Sequence, residues 1–174
     1  ILGSTGSIGK TTLSIISKNI KDFEIILLST NKNIKEINKQ CKKFKPSFII
    51  INDSDSYKRF VRKNKHNLKV FNSYRDISKL KKKIDYTISA ISGFDGLEPT
   101  LEVIPFSKTI AIANKESLIC GWNLIKKKLN KYNTEFIPVD SEHFSIWYAL
   151  KNMSYAKIDK IFLTASGGSL LKIP

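Results

Sequence analysis

Short apolar runs alternate with amphipathic segments along most of the chain. The apolar runs are rich in Ile, Val and Phe and predict β-strands. Their nearly continuous apolar character is typical of strands that are buried on both faces of a parallel sheet. Seven such runs occur: "FEIILLS", "SFIII", "LKVF", "YTISAI", "TIAIA", "EFIPV" and "KIFLTA".

Segments with helical spacing separate these runs. In "NIKEINKQCKKF", the residues Ile34, Ile37, Cys41 and Phe44 fall on one helical face. The segment "TTLSIISKNI" has similar spacing, and "DSYKRFVRK" and "YRDISKLKKK" predict two shorter helices. Alternating strands and helices predict an α/β fold with a doubly wound, mostly parallel sheet of the Rossmann type.

The regular alternation weakens near "ANKESLICGW", where we place a domain transition at about Gly121. The first domain then covers residues 1–121. The remainder, residues 122–174, is short for an independent domain and predicts the beginning of a second α/β domain that is cut at Pro174. The chain begins at Ile1 without a Met, inside a predicted strand, so we expect that its natural N-terminus is missing.

Charge changes this picture little. The 174 residues include 30 Lys and Arg and 15 Asp and Glu, a formal net charge of +15 that would favour nucleic acids. Only three of the basic residues are arginines, and the lysines are scattered over polar helix faces, which is typical of a solvated surface. We expect no nucleic-acid partner, although a basic nucleic-acid-binding protein with this fold stays an alternative.

Two further absences matter for the classes of protein considered. No apolar run approaches the ~20 residues of a membrane-spanning helix, so we expect no membrane partner. Cys41 and Cys120 are isolated and lack the spacing of metal ligands, so we expect two buried free thiols.

The opening segment "ILGSTGSIGKTT" carries the first candidate site. Gly3, Gly6 and Gly9 have the spacing of a turn that brings a dinucleotide pyrophosphate over a helix N-terminus, whose free N–H groups favour anions. A phosphate loop of a nucleotide triphosphatase, or of a nucleotide-binding module, is the alternative, with Asp53 of "FIIIND" as the magnesium ligand of the triphosphatase. That motif requires glycine at the position of Ser4, so the match is one residue short.

The end of the second predicted strand favours one dinucleotide. NAD-binding proteins usually have Asp or Glu there, which bonds the 2′-hydroxyl of the ribose. The segment "LLSTNKN" has no acid and contains Lys32. Because a carboxylate would repel a 2′-phosphate and Lys32 would attract it, NADP is favoured over NAD.

Three later loops follow predicted strands, at the ends where parallel sheets bind ligands. In "ANKES", Lys115 could hold a phosphate or a substrate hydroxyl, while Asn114 could simply cap a helix. In "PVDSEH", Asp140 and Glu142 could converge on Mg²⁺ or Mn²⁺, or could favour a helix start. In "TASGGS", Ser166 and the glycines could bind phosphate.

The motifs "GSTGSIG", "ANKESL", "PVDSEH" and "TASGG", in this order, resemble the 1-deoxy-D-xylulose 5-phosphate reductoisomerase family. The resemblance runs from Ile1 to Pro174 and includes "GLEPTLEVI". The family rearranges the carbon skeleton of 1-deoxy-D-xylulose 5-phosphate and reduces the aldehyde intermediate to 2-C-methyl-D-erythritol 4-phosphate, in non-mevalonate isoprenoid biosynthesis. The resemblance implies an oxidoreductase and isomerase with two cofactors, NADPH and a divalent metal, Mg²⁺ or Mn²⁺.

The resemblance also implies roles for single residues. The residues that match NADPH-binding positions are Thr5, Gly6, Ser7, Ile8, Asn31, Lys32, Asn33, Asn114 and Glu116. Those that match substrate-binding positions are Lys115, Ser141, Glu142 and Ser166, and the two carboxylates that match catalytic metal ligands are Asp140 and Glu142. Asn31 stands where the family often has Gly, a departure that we expect to be tolerated.

The family continues beyond the position of Pro174, with a third metal carboxylate and a C-terminal helical domain. The resemblance therefore implies that residues 1–121 form the NADPH-binding domain and that residues 122–174 begin the catalytic domain. We expect this piece to be inactive alone, and the full-length protein to be a homodimer that acts on a small phosphorylated sugar. The expected location is a bacterial-type cytoplasm, with a plastid left open because the chain does not begin with Met.

Overall fold

A computed structural model describes residues 1–63, 68–80, 82–154 and 158–163 of the chain. The strands are β1 (Leu27–Thr30), β2 (Phe48–Ile51), β3 (Lys69–Phe71), β4 (Ile84–Ser89), β5 (Ser107–Ile112) and β6 (Glu135–Pro138). The helices are α1 (Ser7–Lys18), α2 (Ile34–Phe44), α3 (Ser54–Lys63), α4 (Leu97–Val103), α5 (Lys115–Tyr132) and α6 (Ser141–Leu150). Short 3₁₀ helices cover Ile20–Asp22, Tyr74–Lys79, Phe94–Gly96 and Ile104–Phe106.

The strands form two parallel groups, in the orders β1-β2-β3 and β4-β5-β6. Residues 1–4 lie between the groups and join them. On one side, the backbone N–H of Ser29 donates to the carbonyl oxygen of Ile1 at 3.1 Å. On the other, Leu2 donates to Ile88 at 2.8 Å and accepts from Ala90 at 3.0 Å. The sheet therefore changes winding direction at residues 1–4, the place where doubly wound sheets bind ligands.

Apolar side chains cover both faces of this sheet. Within β2, Ile50 belongs to one core cluster, together with side chains of α4 and α5. Its neighbours Ile49 and Ile51 belong to the other cluster, together with side chains of α1, α2 and α3. Successive side chains of a strand point to opposite faces, so a strand buried on both sides needs a continuous apolar run. The α/β fold and the doubly wound parallel sheet are confirmed.

The short helix predicted in "YRDISKLKKK" is present as a 3₁₀ helix over Tyr74–Lys79. Two other local expectations from the sequence were wrong. Cys41 is buried as expected, but Cys120 is exposed because it lies on the outer face of α5. The run "KIFLTA" forms no strand over the described part, residues 160–163, and the rest of the run lies outside the described residues. The apolar pattern of this run resembles that of a strand, but a strand also needs a neighbour to pair with. Its apolar residues are instead exposed: Ile161, Phe162 and Leu163.

The expected domain transition at Gly121 falls inside α5. This glycine is buried against the side chain of Leu97, and β6 follows it and pairs with β5. The division at this residue stays a prediction.

No helix in the described ranges is long and apolar enough to cross a bilayer.

Gly9 offers a test of how tightly α1 packs against residues 3 and 4. A β-carbon at Gly9 would lie 2.5 Å from both the carbonyl oxygen of Gly3 and the α-carbon of Ser4. At Gly6 the nearest atom would be the same carbonyl oxygen, at 3.4 Å. We expect Gly9→Ala to lower the free energy of unfolding by about 2–3 kcal/mol more than Gly6→Ala does, because backbone atoms would have to move.

Urea denaturation followed by circular dichroism measures this difference. Gly6→Ala is the matched control, since it adds the same methyl group to the same turn. Equal unfolding midpoints for the two variants would contradict the close packing of α1 on this turn.

Candidate functional site

In the glycine turn, backbone atoms of neighbouring segments pack closely together. Gly3 has a φ of +74°, and a β-carbon there would lie 2.7 Å from the carbonyl oxygen of Ala90. Gly6 donates its N–H to the carbonyl oxygen of Gly3 at 3.1 Å and is the N-cap of α1. No side chain of the described residues caps this helix end, so its first N–H groups and the positive end of its dipole face outward. The turn therefore fits an anionic group such as a pyrophosphate.

Buried polar side chains hold the turn in place. Ser29 Oγ accepts from the backbone N–H of Gly3 at 2.9 Å and from the Tyr74 hydroxyl at 3.2 Å. Ser4 Oγ lies 2.7 Å from Gln40 Oε1, and Gln40 Nε2 donates to the Ser4 carbonyl oxygen at 2.9 Å. All four of these side chains are almost fully buried. They fix the conformation that the glycines permit.

The sequence alone does not predict this network. Ser4 stands out there only as a mismatch to a phosphate loop, and neither Gln40 nor Tyr74 belongs to a recognisable motif. The available signals were a serine, Ser29, inside a buried strand and a glutamine on the inward side of α2. A buried polar residue normally needs a partner, but the sequence does not say which one.

The structure brings the loop after β1 next to the glycine turn. The hydroxyl oxygens of Thr5 and Thr30 lie 2.8 Å apart and share a hydrogen bond. Beyond Thr30, the side chains of Asn31 and Lys32 are exposed, and Asn33 caps α2 by accepting from the N–H of Glu36 at 3.0 Å. The predicted pyrophosphate and 2′-phosphate regions are therefore adjacent.

A cavity of about 520 Å³ opens beside this loop. It lies at the carboxyl ends of β1, β2 and β4, and its volume is within the usual range for small-molecule sites. Among its lining residues are Asn31, Asn52, Tyr74, Ile91 and Phe94.

Asn114 joins the start of α5 to the loop after β4. Its Oδ1 accepts from the N–H of Ser117 at 3.0 Å, which makes it the N-cap of the helix. Its Nδ2 donates to the carbonyl oxygen of Ile91 and, at 2.6 Å, to that of Gly93. The cap is confirmed, while contact with a cofactor stays a prediction. Lys115 and Glu116 follow at the helix start and are exposed.

The two acidic residues of the metal hypothesis lie at the start of α6. Asp140 is the N-cap of this helix, and its Oδ1 accepts from the N–H of His143 at 2.9 Å and lies 2.5 Å from His143 Nδ1. Its second oxygen, Oδ2, is buried and has no hydrogen-bond partner among the described residues. Glu142 is exposed and accepts from the Ser141 hydroxyl at 2.9 Å. The Asp140 oxygen without a partner fits a cation.

Electrostatics keep both carboxylates charged. Burial disfavours the charged form of Asp140, but the hydrogen bonds and the charge of His143 outweigh this effect and lower its pKa. Its own backbone N–H and the Ser141 hydroxyl lower the pKa of Glu142, and the charge of Lys115 lowers it further. Both groups are therefore ionised at neutral pH, as metal ligands must be.

The candidate metal site is incomplete in the part of the chain that the structure describes. No group of three acidic, His or Cys residues that could hold a metal occurs within it. Ser166, the remaining predicted substrate-binding residue, lies outside the described residues. Two carboxylates from the start of α6 would thus need further ligands from elsewhere.

The geometry disfavours the triphosphatase alternative. Lys10 is exposed and lies in a groove between α1 and α2, beside Glu36 and Lys39, rather than over the glycine turn. Asp53, the alternative's magnesium ligand, is occupied as the cap of α3 and accepts from the N–H of Ser56 at 2.9 Å. Neither side chain is placed as that mechanism requires.

The two asparagine caps give a matched test of the Asn114 contacts. Asn114→Asp keeps the cap but replaces the amide that donates to two carbonyl oxygens with a carboxylate. We expect it to lower the free energy of unfolding by about 2–4 kcal/mol. Asn33→Asp, at an exposed cap whose Nδ2 makes no hydrogen bond to the described residues, should change it by less than about 0.5 kcal/mol. Urea denaturation at pH 7 measures both, and equal losses would show that the Nδ2 contacts do not stabilise the protein.

Comparisons with known proteins agree with this geometry. The sequence model of 1-deoxy-D-xylulose 5-phosphate reductoisomerase matches residues 1–121, and that of the enzyme's C-terminal domain matches residues 136–174. The 1-deoxy-D-xylulose 5-phosphate reductoisomerase of Pelagibacter ubique is 54% identical over 172 residues, which are 97% of this chain and 44% of the relative.

Solved structures of the same enzyme share the fold. The enzyme of Zymomonas mobilis in complex with NADPH superimposes with a TM-score of 0.87 at 31% identity, over 99% of this chain and 46% of that one. A reductoisomerase in complex with NADPH, fosmidomycin and magnesium gives a TM-score of 0.84 at 29% identity, over 98% and 45%. The chain spans less than half the length of these relatives. It belongs to the 1-deoxy-D-xylulose 5-phosphate reductoisomerase family.

Proposed function

We propose that the protein to which this chain belongs converts 1-deoxy-D-xylulose 5-phosphate to 2-C-methyl-D-erythritol 4-phosphate with NADPH and Mg²⁺ or Mn²⁺. One observation carries the proposal. The glycine turn, the acid-free loop after β1 and the two carboxylates at the start of α6 all lie at the carboxyl edge of one parallel sheet. Ligands of such sheets bind at this edge, so a cofactor and a metal-bound substrate could meet there.

The cofactor-binding residues surround the glycine turn. The helix start at Gly6 presents N–H groups to the pyrophosphate, and Lys32 offers a cation to the 2′-phosphate. Asn114 holds the loop after β4 and bounds the site on the other side. The proposed NADPH-binding set is Thr5, Gly6, Ser7, Ile8, Asn31, Lys32, Asn33, Asn114 and Glu116.

The metal and substrate residues lie around the start of α6. Asp140 and Glu142 would hold the cation, and Lys115, Ser141 and Ser166 would bind the sugar phosphate. When bound, the cation supplies a Lewis acid for the rearrangement and NADPH supplies the hydride for the reduction. The backbone N–H of His143 donates to Oδ1 of Asp140 and so orients that carboxylate, leaving the buried Oδ2 free to face a cation.

Three further features are part of the proposal. Residues 1–121 would form the NADPH-binding domain and residues 122–174 the beginning of the catalytic domain. The whole protein would be a homodimer in a bacterial-type cytoplasm, with a plastid as the alternative location. Its small phosphorylated substrate fits the excess of lysine in the chain, because basic surfaces attract anions.

Cofactor titration tests the dinucleotide site. The chain should bind NADPH at least about tenfold more tightly than NADH, because Lys32 attracts the 2′-phosphate and no carboxylate in the Asn31–Asn33 loop repels it. Binding can be followed by the fluorescence of the reduced nicotinamide. Tight binding of ATP without binding of NADPH would contradict the proposal and support a triphosphatase.

Loss of a metal ligand tests the second half of the proposal. In a chain of the relatives' length, NADPH oxidation should require both 1-deoxy-D-xylulose 5-phosphate and Mg²⁺ or Mn²⁺. Asp140→Asn should lower kcat by at least about 100-fold, because it removes a carboxylate charge from the metal. The dissociation constant of NADPH should stay unchanged.

The control variant for this test is Asp85→Asn. Asp85 forms an exposed ion pair with Lys108 near the opposite edge of the sheet, so the same chemical change there should leave kcat unaltered. Full activity of Asp140→Asn would show that this carboxylate holds no catalytic metal.

A further inference from the structure

A second cation lies beside the loop that follows β1. The backbone N–H of Asn52 donates to the carbonyl oxygen of Thr30 at 3.0 Å, and that of Asp53 donates to Asn31 at 3.3 Å. These bonds join the two segments that follow the neighbouring strands β1 and β2. The first turn of α3 therefore lies next to Lys32.

Ser56 links that turn to the loop. It is fully buried, and its hydroxyl lies 3.5 Å from the carbonyl oxygen of Lys32. The guanidinium of Arg59, one turn further along α3, donates from Nη2 to the same hydroxyl at 3.1 Å. Arg59 is thereby folded back toward the loop, although it is 27 positions away from Lys32 in the sequence.

Charges in this cluster do not cancel. Two hydrogen bonds from Ser56 lower the pKa of Asp53, and the nearby charges of Lys32 and Arg59 lower it further. One carboxylate therefore faces two cations. Neither cation forms a salt bridge of its own within the ranges that the structure describes. The guanidinium has five N–H donors, and its contact with Ser56 uses one.

We propose that Arg59 determines the preference for NADPH over NADH by binding the 2′-phosphate together with Lys32. The inference rests on the proposed function. A planar guanidinium can form two parallel hydrogen bonds to a phosphate, which a lysine ammonium cannot. Ser56 orients the group, and Asp53 keeps both cations near the loop when the cofactor is absent.

The test compares the dissociation constants of NADPH and NADH for single variants of a chain of the relatives' length. Arg59→Met should weaken NADPH binding about tenfold or more and change NADH binding less than about twofold. Arg59→Lys keeps the positive charge but lacks the paired N–H donors, so it should weaken NADPH binding by an intermediate amount. Arg59 is exposed, and we expect each variant to keep the melting temperature of the unaltered chain.

Arg62→Met is the matched control. Arg62 is also exposed and lies on the same helix, but its charge is not among those that lower the pKa of Asp53. Its loss removes one positive charge from α3 and should leave both dissociation constants within about twofold of their original values.

Three outcomes would overturn the inference. Arg59→Met could bind NADPH as tightly as the unaltered chain does. It could instead lose affinity for NADPH and NADH equally, which would indicate a structural role through Ser56. Arg62→Met could have the same effect as Arg59→Met, which would indicate an unspecific charge effect. If the unaltered chain does not prefer NADPH, the proposed function itself fails, and this result differs from the other three.

Discussion

The position of residues 1–4 in the middle of the sheet is the constraint on which the rest of the structure depends. Leu2 is fully buried and hydrogen-bonded to the strand group on one side, and Ile1 is bonded to the group on the other. This segment then leads directly into the glycine turn. Because every strand is parallel, all loops at their carboxyl ends lie at one edge, around the point where the winding direction changes. A ligand site follows from the topology before any side chain is considered.

Buried polar contacts convert this topology into a defined geometry. The glycines allow close approach of the backbone, but they do not select one conformation. Selection comes from Ser29 and Gln40, which bond the turn from β1 and α2, and from Asn114, which fixes the neighbouring loop. Hydrogen bonds of this kind add little net stability, but leaving one of the buried groups unpaired is costly. The network therefore specifies the turn more than it stabilises the fold.

The two halves of the site differ in charge. Around the loop after β1, Lys32 and Arg59 face one carboxylate, which suits an anionic phosphate. At the start of α6, Asp140 and Glu142 remain ionised, which suits a divalent cation. The net charge of +15 does not reveal this division, because many of the lysines lie on exposed helix faces. The cofactor region and the metal region therefore differ because of where a few charged side chains lie at strand ends, and not because of the net charge of the chain.

The sequence by itself determined the fold class and the positions of the main loops. Continuous apolar runs such as "SFIII" are needed by strands buried on both faces, and glycines at positions 3 and 9 are needed where backbones nearly touch. The strand-like run "KIFLTA" shows the limit of such patterns, since the described part of it has no paired neighbour. Apolar periodicity reports burial and does not report pairing.

Only the tertiary structure decided which distant side chains meet. The contacts of Gln40 with Ser4 and of Arg59 with Ser56 beside Lys32 depend on how helices pack over neighbouring strands. No spacing rule within one element encodes such a contact, because it joins residues from two or more elements. The sequence could therefore name Lys32 as a cation for the cofactor, whereas the second cation became visible only when α3 was placed against the loop after β1.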